Sequence, residues 1–241
     1  MSIASRLEAI ENHLSDAYDA IEAKGANLHL LPSEYTQVDY IESSGTQYID
    51  TGVNADNKLD IKYTLEKTSS IVSGAIYNDN GNYTRYHIGT NNNKYSFFIL
   101  NNSIFTTIPD DTNVKHEFYI KATNRTILAD GVTYEMPEAL ATDTSLNFWI
   151  FRRNSNSTNL RSYSSFRLYS CSMYYNNELV RDFIPCYRNS DNEVGLYDIV
   201  NDVFYTNQGT GLFTYGEVKE DYAFKKNISN LSRAINLIPT D

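Results

Sequence analysis

The sequence predicts a mainly β protein made of antiparallel sheets packed face to face. Three observations predict it. Thirteen short segments, each about five to eight residues long, occupy residues 31–216 and are rich in β-branched and aromatic residues. Asn, Gly and Asp cluster between them, where tight turns need positive φ. No long helical pattern interrupts the run, which argues against a parallel sheet of the α/β type. A closed barrel is the alternative from the same pattern. Composition agrees: 20 Tyr and 11 Phe stand beside one Trp and five Pro, a mix that suits pleated strands with polar loops.

The first element, residues 1–26, reads as a helix. Ile3, Leu7, Ile10, Leu14, Ala17 and Ile21 recur at alternating spacings of four and three, and Gly25 ends the run. Leu7, Leu14 and Ile21 take the a positions of a heptad and Ile3, Ile10 and Ala17 the d positions. Leu at a with Ile at d favours three or four strands over two. Three heptads, about 30 Å of helix, are marginal as a free coiled coil. The same stripe also suits an amphipathic helix docked on its own chain, and both readings stand.

The expected strands follow in order: QYIDTGV, LDIKYTLE, SIVSGAIY, TRYHIGT, YSFFILN, SIFTTI, KHEFYIKA, RTILADG, SLNFWIFRR, FRLYSCSMYY, ELVRDFIPC, EVGLYDI and VFYTN. Residues 78–82, 91–93, 130–131 and 201–202 read as turns. Asn176-Asn177 reads as a two-residue hairpin turn with Tyr175 opposite Glu178. Carried along without interruption, that register puts Cys171 opposite Asp182 and Cys186 opposite Arg167. The two thiols then share a face roughly 13 Å apart, too far for a disulfide, and read as half-buried reduced cysteines. A last short helix spans 227–238 within a closing segment at 222–241. Ile228, Leu231, Ile235 and Ile238 form its apolar face, and Pro239 stops it.

Charge narrows the partners. The 241 residues carry a formal net charge of −10. A nucleic-acid binder needs a basic footprint, and anionic membranes repel such a chain. No apolar run approaches the roughly 20 residues that span a bilayer. The opening MSIASRLEAIENHLSD carries acids where a secretory signal needs an apolar stretch. These features predict a protein made in a cytosol and released, if at all, by lysis.

Three stretches carry a family resemblance. LPSEYTQVDYIESSGTQYIDTG resembles the opening of a concanavalin A-like, laminin-G-type jelly-roll module. HEFYIKATNRTILADGVTYE resembles the central hairpin of such modules, and FRLYSCSMYYNNELVRDFIPCYRNSDNEVGLYDIVNDVFYTNQGTGLF resembles their closing strands. The likeness covers residues 32–216. The flanks, SIASRLEAIENHLSDAYDAIEAKGANL and KKNISNLSRAINLI, resemble the two halves of a short segment of phage virion proteins, with the jelly roll inserted between them. The resemblance implies an antiparallel jelly-roll β-sandwich head at 31–216, an N-terminal anchor helix at 1–26 and a C-terminal helix that returns to the anchor. It implies a non-enzymatic virion structural protein of fibre or decoration type. Such a protein is made in the host cytoplasm, is homo-oligomeric with a trimer favoured, and joins other virion proteins through its helical base. Its head would attach to a host-surface glycan. A bacterial carbohydrate-binding module or adhesin is the alternative, and a glycoside hydrolase-like enzyme stands behind it.

Concanavalin A-like folds also host glycosidases, which need two carboxyl groups roughly 5–5.5 Å apart. The nearest pattern, Gln37-Val38-Asp39-Tyr40-Ile41-Glu42, begins with Gln, which cannot act as a nucleophile, and lies where an edge strand is expected. No Gly-x-Ser-x-Gly, phosphate-binding loop or dinucleotide fingerprint occurs. His13, His29, His87 and His116 are scattered, and His116 shares an apolar strand face with Val114, Phe118 and Ile120, as a core histidine does. Asn189, Asp191 and Glu193, and likewise Asn78, Asn80 and Asn82, have the alternating oxygen spacing of calcium ligands. Both runs lack the charge calcium needs and read as solvated turns. No catalytic residue, metal site or cofactor is expected. Glycan contacts are expected at Tyr83 and Tyr86, at Asn91, Asn92 and Asn93, and in the loop of Arg152, Arg153 and Asn156, where aromatic faces and amides are available for sugars. Trp149 lies inside the apolar run NFWIF and is expected in the core. Light scattering on the full chain and on residues 30–218 checks the helical base. A trimer or tetramer for the former and a monomer for the latter are expected; an oligomeric head would count against it.

Overall fold

The computed structural model describes residues 31–100, 102–137, 143–157, 159 and 162–219. The expected helices at 1–26 and 222–241 lie outside the described residues. So do the anchor positions Ile3, Leu7, Ile10, Leu14, Ala17, Ile21, Ile228, Leu231, Ile235 and Ile238. Among the described residues the protein is mainly β, with two antiparallel sheets forming a β-sandwich.

The larger sheet has a central path of eight strands. In spatial order these are β11 (Val132–Glu135), β10 (Thr126–Ala129), β9 (Lys115–Lys121), β4 (Leu59–Ser70), β14 (Ser165–Tyr175), β15 (Glu178–Arg188), β16 (Val194–Asp198) and β17 (Val203–Thr206). Short strands β1 (Tyr35–Gln37), β2 (Ile41–Glu42) and β18 (Thr214–Tyr215) pair with β15, with β14 and with β2 respectively. The smaller sheet runs β3 (Ile49–Asp56), β12 (Asp143–Ile150), β5 (Ser73–Asp79), β6 (Asn82–Asn91), β7 (Lys94–Leu100) and β8 (Asn102–Pro109). The three-residue β13 (Arg153–Ser155) adds to β5 in parallel. All thirteen expected segments form strands. The five strands not expected, β1, β2, β11, β13 and β18, have only two to four residues each, too few for alternation to register.

Turn chemistry acts where it was read. Asn92-Asn93, Asp130-Gly131 and Asn176-Asn177 all have positive φ at both positions, as the hairpin turns matching strand twist require. Asn80-Gly81 does the same between β5 and β6.

The register beyond Asn176-Asn177 differs from expectation. Tyr175 faces Glu178 and Tyr174 faces Leu179, but Met173 then faces Arg181 and Cys171 faces Phe183. One extra residue, Val180, bulges from β15. Without it, Asp182 would stand opposite buried Cys171 on the core face. With it, Phe183 takes that place and Asp182 moves to the other face, where Ser172 Oγ donates to Asp182 Oδ1 at 2.7 Å. The bulge also separates the cysteines: Cys171 lies with Phe183, whereas Cys186, three residues on, lies on the opposite face. Both thiols are free and fully buried rather than half-buried. Burial raises both thiol pKa values, that of Cys186 to about 12.

The core lies between the sheets. In β4, Leu59, Ile61, Tyr63 and Leu65 are fully buried at every second position. Phe148 of β12 faces them; its ring is 6.2 Å from that of Tyr63 and 6.0 Å, edge-on, from that of Tyr86 in its own sheet. Tyr86 donates its hydroxyl to the Leu59 carbonyl of the opposite sheet. Nearby, Phe118 of β9 packs on Tyr95 and Phe97 of β7 at 4.8 and 5.3 Å. Phe148→Ala removes the ring that bridges the sheets and is expected to cost about 3–5 kcal/mol, read as a lower urea midpoint at unchanged slope. A loss below about 1 kcal/mol would mean the site is not packed as described.

Candidate functional site

Alternation that buries one face of the smaller sheet turns the other face outward. In β6, Tyr86 and Ile88 point into the core, so Tyr83, Arg85 and His87 project from the outer side over β5 and β7. Register sets their neighbours. His87 pairs with Gly74 on one side and Phe98 on the other, and Arg153 of β13 pairs with the same Gly74. Arg153, Gly74, His87 and Phe98 therefore form one cross-strand row. Arg85 lies in the next row, beside Ile76. Gly74 is required here: its φ is +135°, and a Cβ would meet the Tyr86 carbonyl oxygen at 2.1 Å.

A groove of about 600 Å³ lies over these rows. Residues 70–72 and the neighbouring Ser162 and Tyr163 contribute to its rim. The rim is pinned by Ser164, which is buried. Its hydroxyl has the carbonyls of Val72 and Phe151 within reach of its one proton and accepts from the Val72 amide at 3.1 Å. Phe151, at φ +67°, bends the chain between β12 and β13 so that it can join β5 in parallel. The Arg153 amide donates to the Ser162 carbonyl at 3.1 Å, and the Arg153 guanidinium donates to Ser162 Oγ at 3.1 Å.

Inside the groove, the His87 ring stacks on Phe98 at 4.7 Å. The Arg85 guanidinium lies 5.2 Å from the Tyr83 ring centre and 5.4 Å from that of Phe98. Tyr83 and Tyr163 are 44% and 46% exposed, so apolar ring surface is open to a ligand. Burial, with Arg153 and Arg85 nearby, lowers the His87 pKa to about 3, and this imidazole is neutral at pH 7. Burial and Arg85 also lower the Arg153 pKa from its ordinary value. No Asp or Glu lines the groove among the described residues. The chemistry on offer is aromatic faces, two guanidinium groups and the hydroxyls of Ser70, Thr90 and Ser162.

The expected contact residues divide. Tyr83 and Arg153 line the groove. Tyr86 does not: it is fully buried, because the alternation that exposes Arg85 turns Tyr86 inward. Asn91, Asn92 and Asn93 are exposed and form the β6–β7 turn outside the groove lining. Asn156 exchanges two 2.9 Å hydrogen bonds with the backbone of Asn78, a clamp rather than a free amide. Arg152 is layered on aromatic rings, 5.0 Å from Tyr48, 5.7 Å from Trp149 and 4.0 Å from Tyr163. Trp149 is not in the core, since Phe148 and Ile150 take the inward positions on either side of it. It stacks on Tyr48 at 4.4 Å on the outer face.

Gln37, Glu42, His116, Asn78 and Asp191 lie outside the groove lining. Gln37 and Glu42 occupy two strands with different partners, and Glu42 accepts from Arg167 at 3.0 Å. Arg167 also donates to Glu66 at 2.5 Å. His116 is buried beside Tyr95 and Phe118, with Nδ1 2.6 Å from Asp130 Oδ2, while Val114 precedes β9 and is exposed. Asn78 and Asp191 bond within their own turns, to the amides of Gly81 and Glu193. Arg85, His87, Phe98 and Tyr163 escaped the sequence reading. The signal for the first two was present: Arg85 and His87 follow Tyr83 at period two, alternating with Tyr86 and Ile88 in TRYHIGT.

Comparison with protein-family models finds no match, and comparison with curated proteins finds none either.

His87 couples the groove to stability. Its pKa is about 3 when folded and near 6.5 when unfolded, so between those values the unfolded chain binds more protons. The contribution is complete above pH 6.5 and is lost as pH falls toward 3, by up to about 1.4 kcal/mol per pH unit. Thermal midpoints between pH 7 and pH 4 are expected to fall less steeply for His87→Phe than for the native chain. Parallel slopes would remove His87 as the cause.

Proposed function

We propose that this chain is a non-enzymatic structural protein of a bacteriophage virion, of fibre or decoration type. In this reading its concanavalin A-like jelly-roll head attaches to a surface carbohydrate through the groove on the smaller sheet. The observation that carries the binding part is the groove itself: exposed Tyr83 and Tyr163, two arginines and three hydroxyls gathered around one open groove. Sugars present an apolar C–H face that stacks on tyrosine and hydroxyls that hydrogen-bond to polar side chains. The resemblance of the flanking segments to virion proteins supports the particle, and an oligomeric base would multiply weak single-site binding. Other virion proteins would be met through that base.

The full chain is applied to an array of bacterial surface glycans. Binding is expected, with Tyr83→Ala reducing affinity about tenfold, the equivalent of roughly 1.4 kcal/mol. Asn92→Ala, outside the groove lining, is expected to leave affinity unchanged. Equal binding by the native chain and Tyr83→Ala, or no retained glycan, would sink the carbohydrate reading.

A further inference from the structure

The charge of the groove opposes that of the protein. The chain as a whole carries −10, with 30 acidic against 20 basic residues. Yet the described lining of the groove holds Arg85 and Arg153 and no carboxylate. Strand geometry places these cations around His87. Arg85 is two residues along the same strand, about 7 Å away, and Arg153 is two strands across, about 10 Å away. Gly74 stands between Arg153 and His87 in the same cross-strand row and brings no side chain of its own between them. His87 is 5% exposed, and its Nδ1 has no hydrogen-bond partner among the described residues. The two arginines disfavour further positive charge here: burial first, and then both arginines, lower the proton affinity of His87, and burial followed by Arg85 lowers that of Arg153. An anion in the groove relieves that repulsion, whereas a neutral ligand leaves it in place.

We infer that the ligand of the groove is an acidic saccharide, a sugar ring bearing a carboxylate or phosphate, with its oxoanion between Arg85 and Arg153 and its ring against Tyr83 or Tyr163. This rests on the reading of the groove as a carbohydrate site. Guanidinium groups suit the role because their planar donor fork matches both oxoanions and their charge does not titrate. The exposed tyrosines supply the ring contact that a bare ion does not use.

The test is calorimetry on the full chain at low and high salt. The probes are a galacturonate trisaccharide against its methyl ester, glucose 6-phosphate against glucose, and acetate and inorganic phosphate alone. At least one acidic sugar is expected to bind ten times or more tightly than its neutral counterpart and its free oxoanion, with affinity falling as salt rises. The two acidic probes tell carboxylate from phosphate. Arg85→Gln and Arg153→Gln are expected to weaken that binding about tenfold each, and Arg85→Lys to restore part of it. Unchanged thermal midpoints show that the variants fold. If neutral sugars bind as well as acidic ones and only Tyr83→Ala weakens them, the acidic preference is overturned while the carbohydrate site stands. If inorganic phosphate or acetate binds as tightly as the acidic sugars, the carbohydrate reading fails and an oxoanion site remains. If none of the probes binds, the acidic-saccharide assignment is overturned, and the glycan array decides separately whether any carbohydrate binds.

Discussion

Phe148, Tyr63 and Tyr86 meet between the two sheets, and most of the molecule follows from the need to keep them there. A strand has only two faces. Committing Tyr86 to the core commits Arg85 and His87 to the outside. Committing Phe148 to the core places Trp149 beside Tyr48 and Arg152. The groove and the core are thus two readings of one alternation. A substitution that shifted the register of β6 by one residue would empty the core and the groove together.

That constraint also explains the irregularities. In β14 the inward residues are Phe166 and Leu168, then Cys171 and Met173, a change of parity absorbed by a bulge at Tyr169. In β15 the bulge at Val180 does the same so that Phe183 can face inward. Each extra residue lets an apolar set that has lost step with the pleat return to the core. Asp182 gains a serine partner in the process. The irregular strands obey the same rule as the regular ones, at a cost of one unpaired position each.

The electrostatics have a similar economy. An acidic protein gathers two arginines at one open face and keeps the histidine between them neutral by burial. A charged imidazole there would add a third cation with no described carboxylate in the lining to offset it. Several arginines elsewhere are tied to acid, as Arg167 is to Glu42 and Glu66 and Arg188 is to Asp191. The contrast sets Arg85, held by aromatic rings, apart from these paired surface arginines.

The strand positions and the turns were legible along the chain, because alternation and the φ preferences of Asn and Gly are local properties that residues such as Asn176 and Asn177 carry with them. The sequence also placed Tyr83 and Arg153 among the residues available to a ligand. It could not show that Arg153 and His87 share a row. Those residues are brought together by β5, through a parallel three-residue strand too short to leave a pattern. The Val180 bulge, the inward turn of Tyr86 and the outward turn of Trp149 were likewise decided by the opposing sheet. Which of two alternating faces is buried depends on what packs against it, and that partner lies far away along the chain.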